Sequence, residues 1–237
     1  MRPARRLVLS DDVYESLRGL LMDHAVAPGA RITIDALARQ LQVSATPVRE
    51  ALARLEADGL VRKRPLAGYT ATPLLTREEF EELFEMRAIL EVPAAERAAR
   101  RSAAGELDAS AADHLRAEAD LPGPEGHHGW AGYAAFTAQD ARFHNLLAEL
   151  AGNRMLHESV VRLRPHLHLF RLHFPAAHFG VSAREHHRVV DAVLTGDPAG
   201  AAAAMRDHLD ASRQRHLPFF DEATVCASHC SSPASTT

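Results

Sequence analysis

The chain has 237 residues, 46% of them hydrophobic, and a formal net charge of −4. That is enough for two modest domains with real cores, and no stretch is apolar for long enough to cross a membrane. The basic start MRPARRLVLSDD is not followed by an apolar run, so no secretory signal is predicted; both cysteines, Cys226 and Cys230, lie in the last twelve residues, which excludes a disulfide framework and suits a reducing cytoplasm.

Charge is unevenly spread. Residues 1–73 hold eleven Lys+Arg against eight Asp+Glu, or +3, whereas the remainder holds sixteen against twenty-three, or −7. A chain that is acidic overall can still bind DNA when its basic groups are gathered in one part.

The first predicted element is an amphipathic helix over Asp11–Ala25, with Val13, Leu17, Leu20 and Leu21 facing inward and Pro28-Gly29 ending it. Thr33 can cap a second helix whose apolar stripe is Ile34, Leu37, Ala38 and Leu41. Gln42-Val43-Ser44 makes a tight turn, and Ser44 can cap a third helix with Val48, Ala51, Leu52 and Leu55 on one face. Gly59 stops it, and Leu60–Arg64 and Gly68–Thr72 then predict two short strands around a turn.

This order of turn, helix and basic hairpin suits DNA. The second helix of a helix-turn-helix can lie in the major groove, with its N-terminal side chains at base edges. Here those are Ser44, Thr46 and Arg49; Arg pairs bidentately with guanine, while Ser, Thr and the helix N-terminus suit phosphate oxygens. Arg31, at the start of the stretch, and Arg62, Lys63, Arg64 and Gly68 of the hairpin complete the predicted interface as a wing. The competing reading is a small helical bundle with a charged surface.

The run VSATPVREALARLEADGLV with its following glycine hairpin resembles the winged-helix domain of the GntR superfamily of bacterial repressors. Ser44, Thr46, Pro47, Val48, Arg49, Glu50, Ala51, Leu52, Leu55, Gly59 and Leu60 match its motif. Ala45 departs from it, standing where the family commonly carries an Arg that contacts DNA. The resemblance implies that one such contact is missing.

After the linker Pro73-Leu74-Leu75, Thr76 to Glu79 forms a capping box that opens a helix to about Arg101, which Pro93 should kink or split. A second helix follows over Leu107–Asp120, then a loop over Leu121–Gly129. Further helices are predicted over Trp130–Leu150, from Gly152-Asn153 to about Phe174, from a Ser182 cap to near Gly196, and from Asp197-Pro198 onward. Past Pro218 periodicity is lost. The expected fold class is therefore mostly α: a winged helix-turn-helix of three helices and a hairpin over residues 1–73, an all-α bundle of about six helices over 74–220, and a disordered tail over 221–237.

Fourteen of the fifteen histidines lie beyond residue 113. Asp140 and His144 are four apart and share a helix face, His186 lies early in the fifth bundle helix, and His208 lies in the sixth. Three facing helices could bring one carboxylate and three imidazoles together, a set suited to Zn²⁺, with Ni²⁺ or Mn²⁺ as alternatives. Spacing alone is equally met by an Asp–His surface pair. His127, His128, His166, His168, His173 and His178 need no special role, and the tail motif CASHC (Cys226, His229, Cys230) lacks a fourth ligand.

The segments TREEFEELFEMRAILEVPAAERAA, DARFH, SAREHHRVVDAVLTGD and AAAAMRDHL are similar to successive motifs of the FCD effector-binding domain of the FadR-like subfamily. That resemblance implies a divalent metal ion on Asp140, His144, His186 and His208, with His187 in reserve. It also implies that Arg87 of EMRAILE faces the pocket and binds a small carboxylate effector; the plain alternative is a salt bridge to Glu91. The function so predicted is a DNA-binding transcriptional regulator, a repressor and no enzyme, acting as a homodimer on a palindromic operator away from any membrane. A metal-dependent hydrolase or lyase, and a pure metal sensor, are the alternatives.

Overall fold

The computed structural model describes residues 4–65, 68–120, 130–172 and 179–221. They fall into two compact units that divide between Leu74 and Leu75. The first contains α1 (Ala4–Met22), β1 (Arg31–Ile32), α2 (Ile34–Gln40), α3 (Ala45–Ala57), β2 (Val61–Arg64) and β3 (Gly68–Ala71). Its core gathers Val13, Leu17 and Leu21 of α1, Leu37 of α2, and Val48, Ala51, Leu52 and Leu55 of α3. Thr33 and Ser44 occupy the N-cap positions in extended conformation, although neither side chain bonds to the helix it precedes.

Two features differ from expectation. Helix α1 begins at Ala4 instead of Asp11, and the hairpin is joined by a third strand, in the antiparallel order β1-β3-β2. Strand β1 pairs Arg31 with Thr70 and Ile32 with Tyr69. Two residues are too few to show alternation in a sequence, but burial of Ile32 gives β3 a partner on its second edge. Tyr14 ties α1 to the end of α3. Its hydroxyl donates to Asp58, and the Arg54 guanidinium lies 4.1 Å over its ring while reaching Asp11 at 2.6 Å. Burial, and then the Asp58 carboxylate, push the phenol pKa up to about 12.

The second unit is helical throughout its described residues: α4 (Arg77–Ala103), α5 (Ala109–Ala119), α6 (Trp130–Leu150), α7 (Arg154–Leu163), α8 (Pro165–Leu169), a 3₁₀ turn (Phe170–Leu172), α9 (Phe179–Leu194) and α10 (Pro198–His216). Pro93 does not split α4, which runs as one element of 27 residues. Pro93 removes a helix hydrogen bond, yet Val92, Ala94 and Ala95 beside it are buried, so packing holds the backbone. The expected fourth bundle helix does break. Arg164 adopts a left-handed conformation (φ 45°) and Pro165 starts α8, because Pro disfavours helical geometry in the residue before it. Ser182 is no cap; it is buried inside α9. The loop 121–129 and the tail lie outside the described residues, together with His127, His128, His173, His178, Cys226, His229 and Cys230.

One core joins α4, α5, α6, α9 and α10 through Ala95, Ala99, Leu115, Phe143, Leu147, Val189, Val193, Met205 and Leu209. Gly196 turns the chain from α9 into α10 with φ +69°, and a Cβ there would come within 2.9 Å of Ala103 Cβ. Asp197 then caps α10 by accepting from Gly200 N, with Pro198 in the first turn. No helix of the described residues is long and apolar enough to cross a membrane.

At the head of α4 the Thr76 hydroxyl accepts from Glu79 N while the Glu79 carboxylate accepts from Thr76 N. Thr76→Ala should lower stability by about 1 kcal/mol in urea unfolding with an unchanged denaturant slope.

Candidate metal centre and nucleic-acid interface

In the first unit, Ser44, Thr46 and Arg49 at the head of α3 are exposed, and Arg49 makes no ion pair among the described residues. Arg62, Lys63 and Arg64 are exposed along β2, where Val61 alone is buried. Arg31 is also exposed, opposite Thr70 on the sheet. Gly68 has φ +84°, and a Cβ would press on the Ile32 carbonyl oxygen at 3.1 Å, so the close return of the hairpin requires glycine. Ala45 is half-buried.

In the second unit, α6 supplies His144, α9 supplies His186 and α10 supplies His208, all buried. One nitrogen from each lies within 4.8 Å of the others. Asp140, one turn before His144, places Oδ1 3.5 Å from His186 Nε2 and 3.9 Å from His144 Nε2. The four residues singled out by spacing thus converge. His187 does not join them; it is exposed and pairs with Asp120 at 2.9 Å.

The imidazoles are aimed by groups behind them. His208 Nδ1 donates to Glu185 Oε2 at 2.9 Å, because a carboxylate only accepts, and this leaves Nε2 with its lone pair. Arg215 grips both Glu185 oxygens at 2.7 and 2.8 Å. His144 Nδ1 lies 2.6 Å from Glu91 Oε2, a close charge contact without the alignment of a hydrogen bond. His186 lies flat on Phe143, with ring centroids 3.9 Å apart and planes at 12°. Neither of its nitrogens has a hydrogen-bond partner, although the residue is wholly buried. A buried polar atom left unpaired is costly, and an ion between the rings would satisfy Nε2. Three buried histidines are therefore positioned to hold a metal ion.

Electrostatics favour the protonation state that such binding needs. Burial, and then His208 and His144, hold His186 well below its ordinary 6.5. Burial also lowers His208 against the opposing pull of Glu185. Burial would raise the two carboxyls behind them, but cationic partners outweigh it. Glu185 is held at about 2 by His208 and Arg215, and Glu91 well below the carboxylate range by Arg87 and His144. The rings are neutral and the carboxylates charged at neutral pH, as ligands and their orienting groups should be.

Arg87 meets both expectations made of it. Its Nε donates to Glu91 at 2.7 Å, while Nη2 lies 3.4 Å from His144 Nε2. It also faces a cavity of about 20 Å³ bounded by Asp140, His166, Ser182, His208, Ser212 and His216, among others. Glu185, Arg215 and His216 were not legible as site residues. Glu185 stands next to His186, and His208, Ser212 and His216 recur every four residues, so helical spacing around the named histidines is the signal that points to them.

A family model described as bacterial regulatory proteins, gntR family, matches residues 9–70, and one described as the FCD domain matches residues 82–211. A protein of Streptomyces ambofaciens described as an HTH-type transcriptional regulator in an unstable DNA locus is 30% identical, over 84% of this chain and 81% of its own length. The HTH-type transcriptional regulator LutR of Bacillus subtilis is 28% identical, over 86% of this chain and 99% of its own. Among solved structures, a transcriptional regulator GntR from Rhodococcus sp. RHA1 superposes with TM-score 0.62 at 24% identity, over 88% of this chain and 97% of that one. This last likeness shows the fold.

Burial pushes His216 down to about 4, so it is neutral when folded, whereas the unfolded ring titrates at about 6.5. Its contribution to stability is complete above pH 6.5 and is lost as pH falls towards 4. Chelator-treated protein should lose up to about 1.4 kcal/mol per pH unit from this residue across that window. Urea unfolding at pH 7.5 and 5.0 measures the loss, and His216→Phe should reduce it.

Proposed function

The chain belongs to the gntR family of bacterial regulatory proteins and carries an FCD domain, and on that premise we propose that this DNA-binding transcriptional regulator is a repressor whose operator affinity is set by a small organic acid held in a metal-containing pocket. The matched families and relatives are transcriptional regulators, not enzymes. The observation that carries the proposal is the His186 ring, wholly buried with both nitrogens unpaired beside His144, His208 and Asp140.

In this reading Asp140, His144, His186 and His208 hold a divalent ion, Zn²⁺ in the first place, with Ni²⁺ or Mn²⁺ also suited to a set of three imidazoles and a carboxylate. The ion supplies a Lewis-acid centre for a carboxylate or hydroxyl oxygen. Arg87 offers a fork of donors for a carboxylate beside it. Glu91 and Glu185 fix the ring orientations of His144 and His208.

At the other end, Arg49 reads a base edge from α3, Ser44 and Thr46 bind phosphate, and Arg31, Arg62, Lys63 and Arg64 flank the duplex, with Gly68 permitting the tight wing. A homodimer matches a palindromic operator, since two-fold symmetry in the protein mirrors that of the site. Residues 1–73 form the reading head, residues 74–220 the effector and dimerisation domain, and 221–237 a tail outside both. Arg87 and Glu91 sit on α4, which follows the linker directly and is therefore the element through which an acid in the pocket biases the heads.

Two experiments test this reading. Elemental analysis of untagged protein should find about one metal ion per chain, and little in His144→Ala/His208→Ala; equal content in both would refute the site. Separately, Arg49→Ala should lose operator-specific binding, costing roughly 1–3 kcal/mol, while keeping fold and dimer. Unchanged operator affinity in a gel-shift titration would remove α3 as the reading helix.

A further inference from the structure

The cavity beside the histidine cluster has polar walls of two kinds. Arg87 contributes only donors. Along α10, His208, Ser212 and His216 follow one another at one-turn intervals, so the wall continues two turns past the proposed metal ligand. His216 Nδ1 lies 2.8 Å from the Ser212 carbonyl oxygen, four residues back on the same helix. A carbonyl accepts and never donates, so the proton is on Nδ1. In the neutral ring Nε2 is then an acceptor. Burial keeps the ring neutral at physiological pH. Ser182, which also lines the cavity, accepts weakly from Arg215 at 3.5 Å, so its own hydroxyl proton remains free to turn inward.

Resting on the reading that this pocket takes a carboxylate beside a metal ion, we propose that His216 is a specificity-determining residue whose imidazole accepts a hydrogen bond from a hydroxyl of the ligand, so that the pocket selects hydroxy acids over the matching oxo acids and unsubstituted acids. The physical basis is the fixed direction of the His216 hydrogen bond. A hydroxyl donates to a bare imidazole nitrogen. An oxo group turns a lone pair towards it, and a methylene offers nothing in exchange for the water lost. An ammonium group could also donate, but it would carry positive charge into a space already facing Arg87 and the ion. Space sets a second limit. With about 20 Å³ open, the favoured ligands are short acids, admitted as the walls yield slightly.

The test uses full-length protein loaded with Zn²⁺ and isothermal titration calorimetry with propanoate, 2-oxopropanoate, 2-hydroxypropanoate, 3-hydroxypropanoate and 4-hydroxybutanoate. At least one hydroxy acid should bind about tenfold or more tightly than propanoate and 2-oxopropanoate, in line with roughly 1–3 kcal/mol for a buried polar group left unpaired. His216→Phe should collapse that preference while zinc content per chain stays the same. His216→Gln, whose amide oxygen accepts, should retain part of it and guards against a folding defect in the Phe variant. Equal affinity for all five acids, or a preference unchanged in His216→Phe, would overturn the role of His216 and leave the carboxylate reading intact. Binding of none of the acids by zinc-loaded protein would overturn the carboxylate reading, and this inference with it.

Discussion

Three imidazoles buried within 4.8 Å of one another are the constraint on which the second unit depends. Charged, they would repel one another in a medium that screens poorly; neutral, each has a lone pair and a proton that need partners. The fold answers from behind. Glu185 takes the His208 proton and is itself gripped by Arg215, and Glu91, gripped by Arg87, closes on His144. Two carboxylate–arginine pairs thus direct two rings inward. His186 has no such brace and is oriented by stacking on Phe143. Every one of these residues lies on α4, α6, α9 or α10, the helices whose apolar faces meet in the main core. Packing and site geometry are set by the same contacts, which is how a cluster this polar can be held in register.

Much of this was legible from residues alone, for identifiable reasons. The helix-turn-helix showed itself through the periodicity of Val48, Ala51, Leu52 and Leu55 with a glycine stop, because amphipathic spacing and stop signals are local properties. The capping box at Thr76 and the Asp197-Pro198 start are equally local. Asp140 and His144 could be paired by spacing, yet their convergence with His186 and His208 depends on how three helices face one another. Motif resemblance supplied that, not periodicity. Strand β1 escaped notice because two residues carry no pattern, and the break at Arg164-Pro165 was overrun by a helical pattern continuing on both sides. Glu185 and Arg215 escaped for another reason. Their importance lies in what they touch across helices, 30 residues apart in sequence.

The two units solve their charge problems differently. In the first, Arg49, Arg62, Lys63 and Arg64 are left exposed, where cationic side chains are well hydrated and ready to exchange water for phosphate. In the second, Arg87 and Arg215 are committed to buried or half-buried carboxylates. Salt should therefore act mainly on the first group, since buried pairs are screened far less than exposed charges. Net acidity of the second unit also keeps non-specific attraction to DNA with the head that reads it.

The break between α7 and α8 has a kinetic side. Helix α8 has five residues, so it holds few hydrogen bonds of its own, and His166 and Leu169 upon it form part of the cavity wall. With Arg164 already turned left-handed and Pro165 free of a backbone donor, α8 can swing without unwinding α7. A molecule larger than the cavity then enters no faster than this short segment moves aside, whatever its affinity once inside. Response time and sensitivity become separate properties, one belonging to a five-residue wall and the other to the residues behind it.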